Sequence, residues 1–258
     1  MNRIENKFAA LKDAGKKALI TFLTAGDPNI TQTKKHIVEM IENGADLVEI
    51  GIPFSDPAAE GPVIQAANER ALKNGISVSQ IMQMVQEIRQ DTDVPLVYLL
   101  YFNTILQYGL DAFFCACRAC GIDGVIIPDL PYEEAQEIAP FASKYDILHI
   151  TLIAPTSEDR IKTLVENARG FLYCVSSMGV TGVRRELATD FTQFTKKINK
   201  VTSLPKAIGF GISSPQQVQA VKPYFDGVIV GSAIVHIIHQ KEDLPQYIAS
   251  LRQALDDN

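Results

Sequence analysis

The chain has 258 residues, with 24 Lys and Arg against 30 Asp and Glu, a formal charge of −6 at pH 7 and a pI near 5.3. Hydrophobic residues make up 47% and charged residues 21%, which excludes extensive disorder, and the acidic balance without a basic run argues against nonspecific nucleic-acid binding. No apolar stretch reaches the roughly 18 residues of a bilayer span, and the short run from Ala18 to Leu23 leads straight into Thr24-Ala25-Gly26-Asp27-Pro28, unlike a signal peptide, so the expected location is the cytoplasm.

Along the chain, Arg3–Lys17 reads as a helix ahead of the first strand. Short runs rich in Val, Ile, Leu and aromatics, each followed by turn residues, then mark eight strands. They are Ala18–Thr24, Asp46–Gly51, Pro95–Tyr101, Asp123–Pro128, Ile147–Ile153, Gly170–Val175, Pro205–Phe210 and Asp226–Val230. Helical patterns separate them. Thr31–Asn43 has Gly44 just past its end, and Pro62–Asn74 opens on Pro and closes before Gly75, the expected asymmetry of helix ends. Ser79–Gln90 adds a further helix before the third strand.

Strands alternating with helices imply βαβ units and a parallel sheet. No linker or shift in composition divides residues 1–258, so a single domain is expected, and eight units of about 30 residues fill it. The fold class is α/β, a closed (β/α)8 TIM barrel with an extra N-terminal helix and an added helix after strand two. A doubly wound open sheet is the alternative. In a barrel the active site lies at the C-terminal ends of the strands.

Cys115, Cys117 and Cys120 cluster in a segment that reads as helix. The spacing is not that of a zinc knuckle, and on a helix Cys115 and Cys117 point about 200° apart. They read as packing residues, and no metal is expected. The histidines, His36, His149, His236 and His239, form no strand-end pair with a carboxylate. Lys206 starts its strand, away from the expected site, so a Schiff-base lysine is not indicated.

The end of strand two carries the clearest chemical signal. Alternation places Val48 and Ile50 on one face and Leu47, Glu49 and Gly51 on the other. If the apolar pair faces the helices, Glu49 points into the barrel mouth. Burial there raises a carboxyl's pKa, which suits a general acid/base near neutral pH. The alternative is a Glu paired with a buried Arg or Lys. Glu60 follows on the loop before Pro62, either as a second acid or as an ordinary helix cap. Gly209-Phe210-Gly211 and Gly231-Ser232 each end a strand and open a helix. Such loops bring backbone N–H groups to an anion, and barrels often bind phosphate there; plain turns are the alternative. The loop from Ser176 to Arg185 is long and small-residue, a lid or a connection.

Glu49-Ile50-Gly51-Ile52-Pro53-Phe54-Ser55-Asp56-Pro57, followed by Glu60-Gly61-Pro62, strongly resembles the tryptophan synthase α subunit family. So do Phe22-Leu23-Thr24-Ala25-Gly26-Asp27-Pro28, Ile127-Pro128-Asp129-Leu130-Pro131, Gly179-Val180-Thr181-Gly182 and Gly209-Phe210-Gly211-Ile212-Ser213. The resemblance implies a TIM barrel that cleaves indole-3-glycerol phosphate to indole and glyceraldehyde 3-phosphate. It implies no cofactor in this chain, and a pyridoxal-phosphate β subunit as partner in an α2β2 heterotetramer. Glu49 would take the hydroxyl proton and help protonate the indole carbon, and Glu60 would hold the indole N–H. Indole would lie among Phe22, Leu99, Tyr101, Pro128, Leu152 and Tyr173. Phosphate would meet Gly182, Gly211 and Ser232, with Phe210 and Gly231 shaping the site. Thr181 would close the lid, and Asp56 and Pro57 would face the β subunit. Glu60 departs from the pattern, being one methylene longer than the family's usual Asp, and Asn103-Thr104 replaces the frequent Asn-Pro. The competing readings are another phosphate-binding barrel isomerase or epimerase, and a catalytically weak regulatory subunit.

Overall fold

The structure, a computed structural model, describes residues 2–175, 184–209 and 211–257. Its strands are β1 (Ala18–Thr24), β2 (Leu47–Gly51), β3 (Leu96–Leu99), β4 (Gly124–Ile126), β5 (Leu148–His149), β6 (Thr151–Ile153), β7 (Leu172–Val175), β8 (Lys206–Gly209) and β9 (Gly227–Val230). All the pairings are parallel. The order is β5-β4-β3-β2-β1-β9-β8-β7-β6. The two ends of that order, β5 and β6, are halves of one segment broken only at Ile150. One chain segment therefore supplies both edges, and the sheet closes as an eight-stranded barrel. The expected fifth strand, Ile147–Ile153, is this segment. Its lower half pairs with β4 and its upper half with β7.

A closed parallel sheet is buried on both faces, which is why its strands read as near-continuous apolar runs. Alternation sorts them. Leu19, Val48, Ile50, Leu96 and Tyr98 pack outward under the helices. Ile20, Leu47, Val97, Ile126 and Ile229 pack inward and fill the barrel. Helix Arg3–Asp13 stoppers the N-terminal end. Its Ile4, Phe8 and Leu11 join the inner cluster, and Phe8 meets Phe171 with ring centroids 5.2 Å apart. Asn2 and Glu5 form a capping box at its start, and the Asn2 amide donates to the carbonyls of Asp123 and Asp146. The helix stops at Asp13, short of the expected Lys17, because the chain turns at Gly15 with φ +65°.

The Pro62–Lys73 and Val78–Ile88 helices both lie between β2 and β3, as the sequence implies. Arg70 of the former forks onto Asp27, just past β1, at 2.9 and 2.6 Å. A bidentate pair of this kind fixes direction as well as distance, so the helix after loop two, the connection of residues 52–61 that follows β2, is tied to the mouth of β1. Helix Phe102–Tyr108 is an element the sequence did not announce. The Asp129 carboxylate accepts from the Phe102 N–H at 2.9 Å, so this start is capped from 27 residues away, where no local pattern reveals it. Gly109, at φ +90°, separates it from helix Leu110–Cys120. On that helix Cys117 and Cys120 are buried and Cys115 is exposed. Among the described residues no helix is long and apolar enough to cross a membrane.

Candidate active site

At the C-terminal ends of the strands lies a cavity of about 600 Å3. Its floor and walls come from strand positions of one inward parity: Phe22, Glu49, Leu99, Ile126, Leu152, Tyr173 and Ile229. Two glycines keep the mouth open. A Cβ at Gly51 would lie 2.7 Å from the Phe22 ring, and one at Gly209 would lie 2.7 Å from the Tyr173 ring. Neither ring can take its present place beside a larger residue, so the sequence Glu49-Ile50-Gly51 sets an acid and a space on the same face.

Glu49 is fully buried on β2. Neither carboxyl oxygen has a hydrogen-bond partner among the described residues. Among the described residues, then, no buried Arg or Lys pairs with it in the way the alternative reading required. Burial pushes its pKa up to about 8, since a lone carboxylate is costly in an apolar wall. Tyr173 faces it from across the barrel; burial, and then the Glu49 charge, hold the phenol well above its ordinary value. A carboxyl so placed is mostly protonated at neutral pH and can both give and take a proton.

Glu60 arrives on the loop after β2 and lines the same cavity. Its carboxyl accepts from the Tyr101 hydroxyl. Burial raises its pKa, the Tyr101 hydrogen bond opposes that rise, and the neighbouring Asp129 adds to it. Gly61, not Glu60, is the residue at the helix cap position, and no side chain caps that helix. The cap reading of Glu60 therefore fails.

The opposite rim is built from two loops. Gly211, Ile212 and Ser213 after β8, and Gly231, Ser232 and Ala233 after β9, all line the cavity. Gly211 has φ +77°. Helix Ser232–Gln240 begins at this rim with Gly231 as its cap and no side-chain cap bond. Its first N–H groups and the positive end of its dipole suit an anion.

Ten expected site residues thus converge on one cavity: Phe22, Glu49, Glu60, Leu99, Pro128, Leu152, Tyr173, Gly211, Gly231 and Ser232. Tyr101 does not line it. It is buried behind loop two, its ring stacked on Phe54. Asp56 is exposed on that loop, held by the Ser55 hydroxyl at 2.6 Å, and Pro57 is partly exposed. Thr181, Gly182 and Phe210 lie outside the described residues. Ile126, Val175 and Ile229 are wall residues not singled out from the sequence. Each is two positions from one that was (Pro128, Tyr173 and Gly231), so strand alternation was the available signal. Ala154 and Ser157, on the short turn after β6, carried none. Lys206 is bound to Asp226 at 2.9 Å at the start of β8, the end of the barrel away from the cavity.

With this geometry in place, comparison with known proteins is direct. The sequence model of the family described as tryptophan synthase alpha chain matches residues 8–257. The chain is similar to the tryptophan synthase alpha chain of Thermoanaerobacter pseudethanolicus, 49% identical over 260 residues, covering 100% of this chain and 99% of that one. The alpha chain of Lactiplantibacillus plantarum is 49% identical over 245 residues, 93% of each chain. Among solved structures, tryptophan synthase subunit alpha of Legionella pneumophila superposes with a TM-score of 0.91 at 37% identity, covering 100% of both chains. A chain of Mycobacterium tuberculosis tryptophan synthase gives 0.91 at 32% identity, covering 100% of this chain and 99% of that one.

Proposed function

The chain belongs to the tryptophan synthase alpha chain family and is a carbon–carbon lyase that cleaves indole-3-glycerol phosphate to indole and glyceraldehyde 3-phosphate; on that premise we propose that Glu49 and Glu60 carry the chemistry. The observation that supports this most is the unpartnered Glu49 carboxyl in the cavity floor.

The reaction needs a proton on indole C3 and the loss of one from the adjacent glycerol hydroxyl. A carboxyl with a pKa near 8 starts protonated and gives its proton to C3. The ring nitrogen then carries positive charge. As a carboxylate, Glu49 next takes the hydroxyl proton. The C–C bond breaks, its electron pair neutralises the ring, and the oxygen closes to the aldehyde. Glu49 ends as it began. Proton transfers by a placed carboxyl of this kind are worth about 100- to 10,000-fold. Glu60, on the loop, binds the indole N–H and stabilises its positive charge in a water-poor site. Both transfers are ones carboxyls perform, so the chain needs no cofactor of its own.

The apolar wall, with Phe22, Leu99, Pro128, Leu152 and Tyr173, holds the indole. Gly211, Gly231 and Ser232 hold the phosphate, joined by Gly182 and Phe210, and Thr181 closes the lid. Asp56 and Pro57, on the exposed turn of loop two, face a pyridoxal-phosphate β subunit in an α2β2 assembly. Tyr101 serves Glu60 rather than the indole. The setting is cytoplasmic. Indole release from indole-3-glycerol phosphate, followed with and without a β subunit, tests this reading. Silence under both conditions, while β-subunit activity still rises, would leave the chain a regulator of its partner.

A further inference from the structure

One side chain, Tyr101, ties three residues of loop two. The Tyr101 hydroxyl accepts the Ala59 N–H at 2.8 Å and donates to the Glu60 carboxyl. Its ring stacks on Phe54, centroids 4.9 Å apart and 18° from parallel. Tyr101 itself is only 3% exposed and stands two residues past β3, on rigid scaffold. Three residues of the loop, 54, 59 and 60, therefore refer their positions to a single side chain. Asp56 and Pro57 lie between those anchors. The titratable groups around Glu60 are Tyr101, Asp129 beyond β4, and Glu49 and Tyr173 across the cavity. Burial and Asp129 both favour the neutral carboxyl, and Tyr101 opposes them.

We propose that Tyr101 is the positioning residue for Glu60: its hydroxyl, fixed on the Ala59 N–H and by the ring stacked on Phe54, aims the carboxyl into the site. The inference rests on the role given to Glu60 above. A carboxyl on a loop has three side-chain torsions to settle, and the one fixed donor removes most of that freedom before substrate arrives, the pre-organisation on which oriented catalysis depends.

The test compares kcat and KM across pH for the parent chain, Tyr101→Phe, Glu60→Gln and the double variant, with indole release as readout. Phenylalanine keeps the ring on Phe54 and removes only the hydroxyl. Loss of that donor is expected to lower kcat about 10- to 100-fold with KM changed less than about threefold. The acid limb of the kcat profile, set by protonation of Glu60, is expected to move to higher pH, because a hydrogen bond to the charged form has been removed. The alkaline limb, set by Glu49, stays in place. On the Glu60→Gln background the same change is expected to cost less than about twofold. An unmoved acid limb in Tyr101→Phe beside a crippled Glu60→Gln overturns the inference and leaves the role of Glu60 standing. Parent-like turnover of Glu60→Gln overturns both.

Discussion

Phe22 and Glu49 are register partners on the adjacent parallel strands β1 and β2, and both turn into the same cavity. An aromatic ring and an unpaired acid therefore stand side by side in the barrel mouth. The ring needs the space that Gly51 leaves, and the acid beside it is fully buried. Burial in this wall accounts for the raised pKa of Glu49, with no charged partner among the described residues.

The burial of Glu49 makes stability depend on pH. Its pKa rises from an ordinary 4.5 to about 8 on folding. Between those values the folded chain holds a proton that the unfolded chain has lost. The contribution is therefore full below the unfolded value and is lost as pH rises through the folded one. Glu49→Gln, which never ionises, is expected to match the parent near about pH 4 and to exceed it near about pH 9 by on the order of 4 kcal/mol. Urea unfolding at the two pH values checks this. A difference that does not grow with pH would show that the carboxyl is not desolvated in solution.

Glu60 should tolerate a shorter acid but not a neutral one. Glu60→Asp keeps the charge, and turnover is expected to stay within about tenfold; Glu60→Gln should cost about 100-fold or more, the scale of losing one charge-stabilising group. Steady-state kinetics decide it. Equal behaviour of Gln and the parent would mean that the indole N–H needs no charge opposite it.

The space that Gly209 leaves is set by the Tyr173 ring, 2.7 Å from where a Cβ would lie. Gly209→Ala should push the ring into the cavity, at about 1–3 kcal/mol of stability, and raise KM more than it lowers kcat. Thermal melts with kinetics check both. An unchanged KM would show that the ring yields without touching substrate.

Ser232 opens a helix at the cavity rim. Ser232→Asp puts a carboxylate where the phosphate is proposed to sit. Helix stability should hold or gain, since acids favour that end, while KM should rise at least about tenfold by like-charge repulsion. An unchanged KM would move the phosphate elsewhere.

Much of this was legible in the sequence because alternation is a local signal. Val48 and Ile50 outward with Glu49 inward follows from three consecutive residues and the period of a strand, and the structure keeps that order. Strand bounds came within two residues at β2 and β4 for the same reason. What escaped was non-local. The Phe102 helix start is capped by Asp129, and the break at Ile150 arises because the fifth strand pairs below with β4 and above with β7. The partnership of Tyr101 with Glu60 joins residues 41 apart. An aromatic at a strand end reads from sequence as a wall of the pocket; only the closed barrel shows that its hydroxyl turns back to the loop.

The most direct test of the account is indole release from indole-3-glycerol phosphate by the parent chain and by Glu49→Gln, both shown to unfold cooperatively. The account predicts indole and glyceraldehyde 3-phosphate in equal amounts from the parent, and a loss of about 1,000-fold or more in the variant with substrate binding kept. Near-parent turnover by Glu49→Gln would contradict it, because a buried carboxyl that the reaction can spare is not the group that moves the protons.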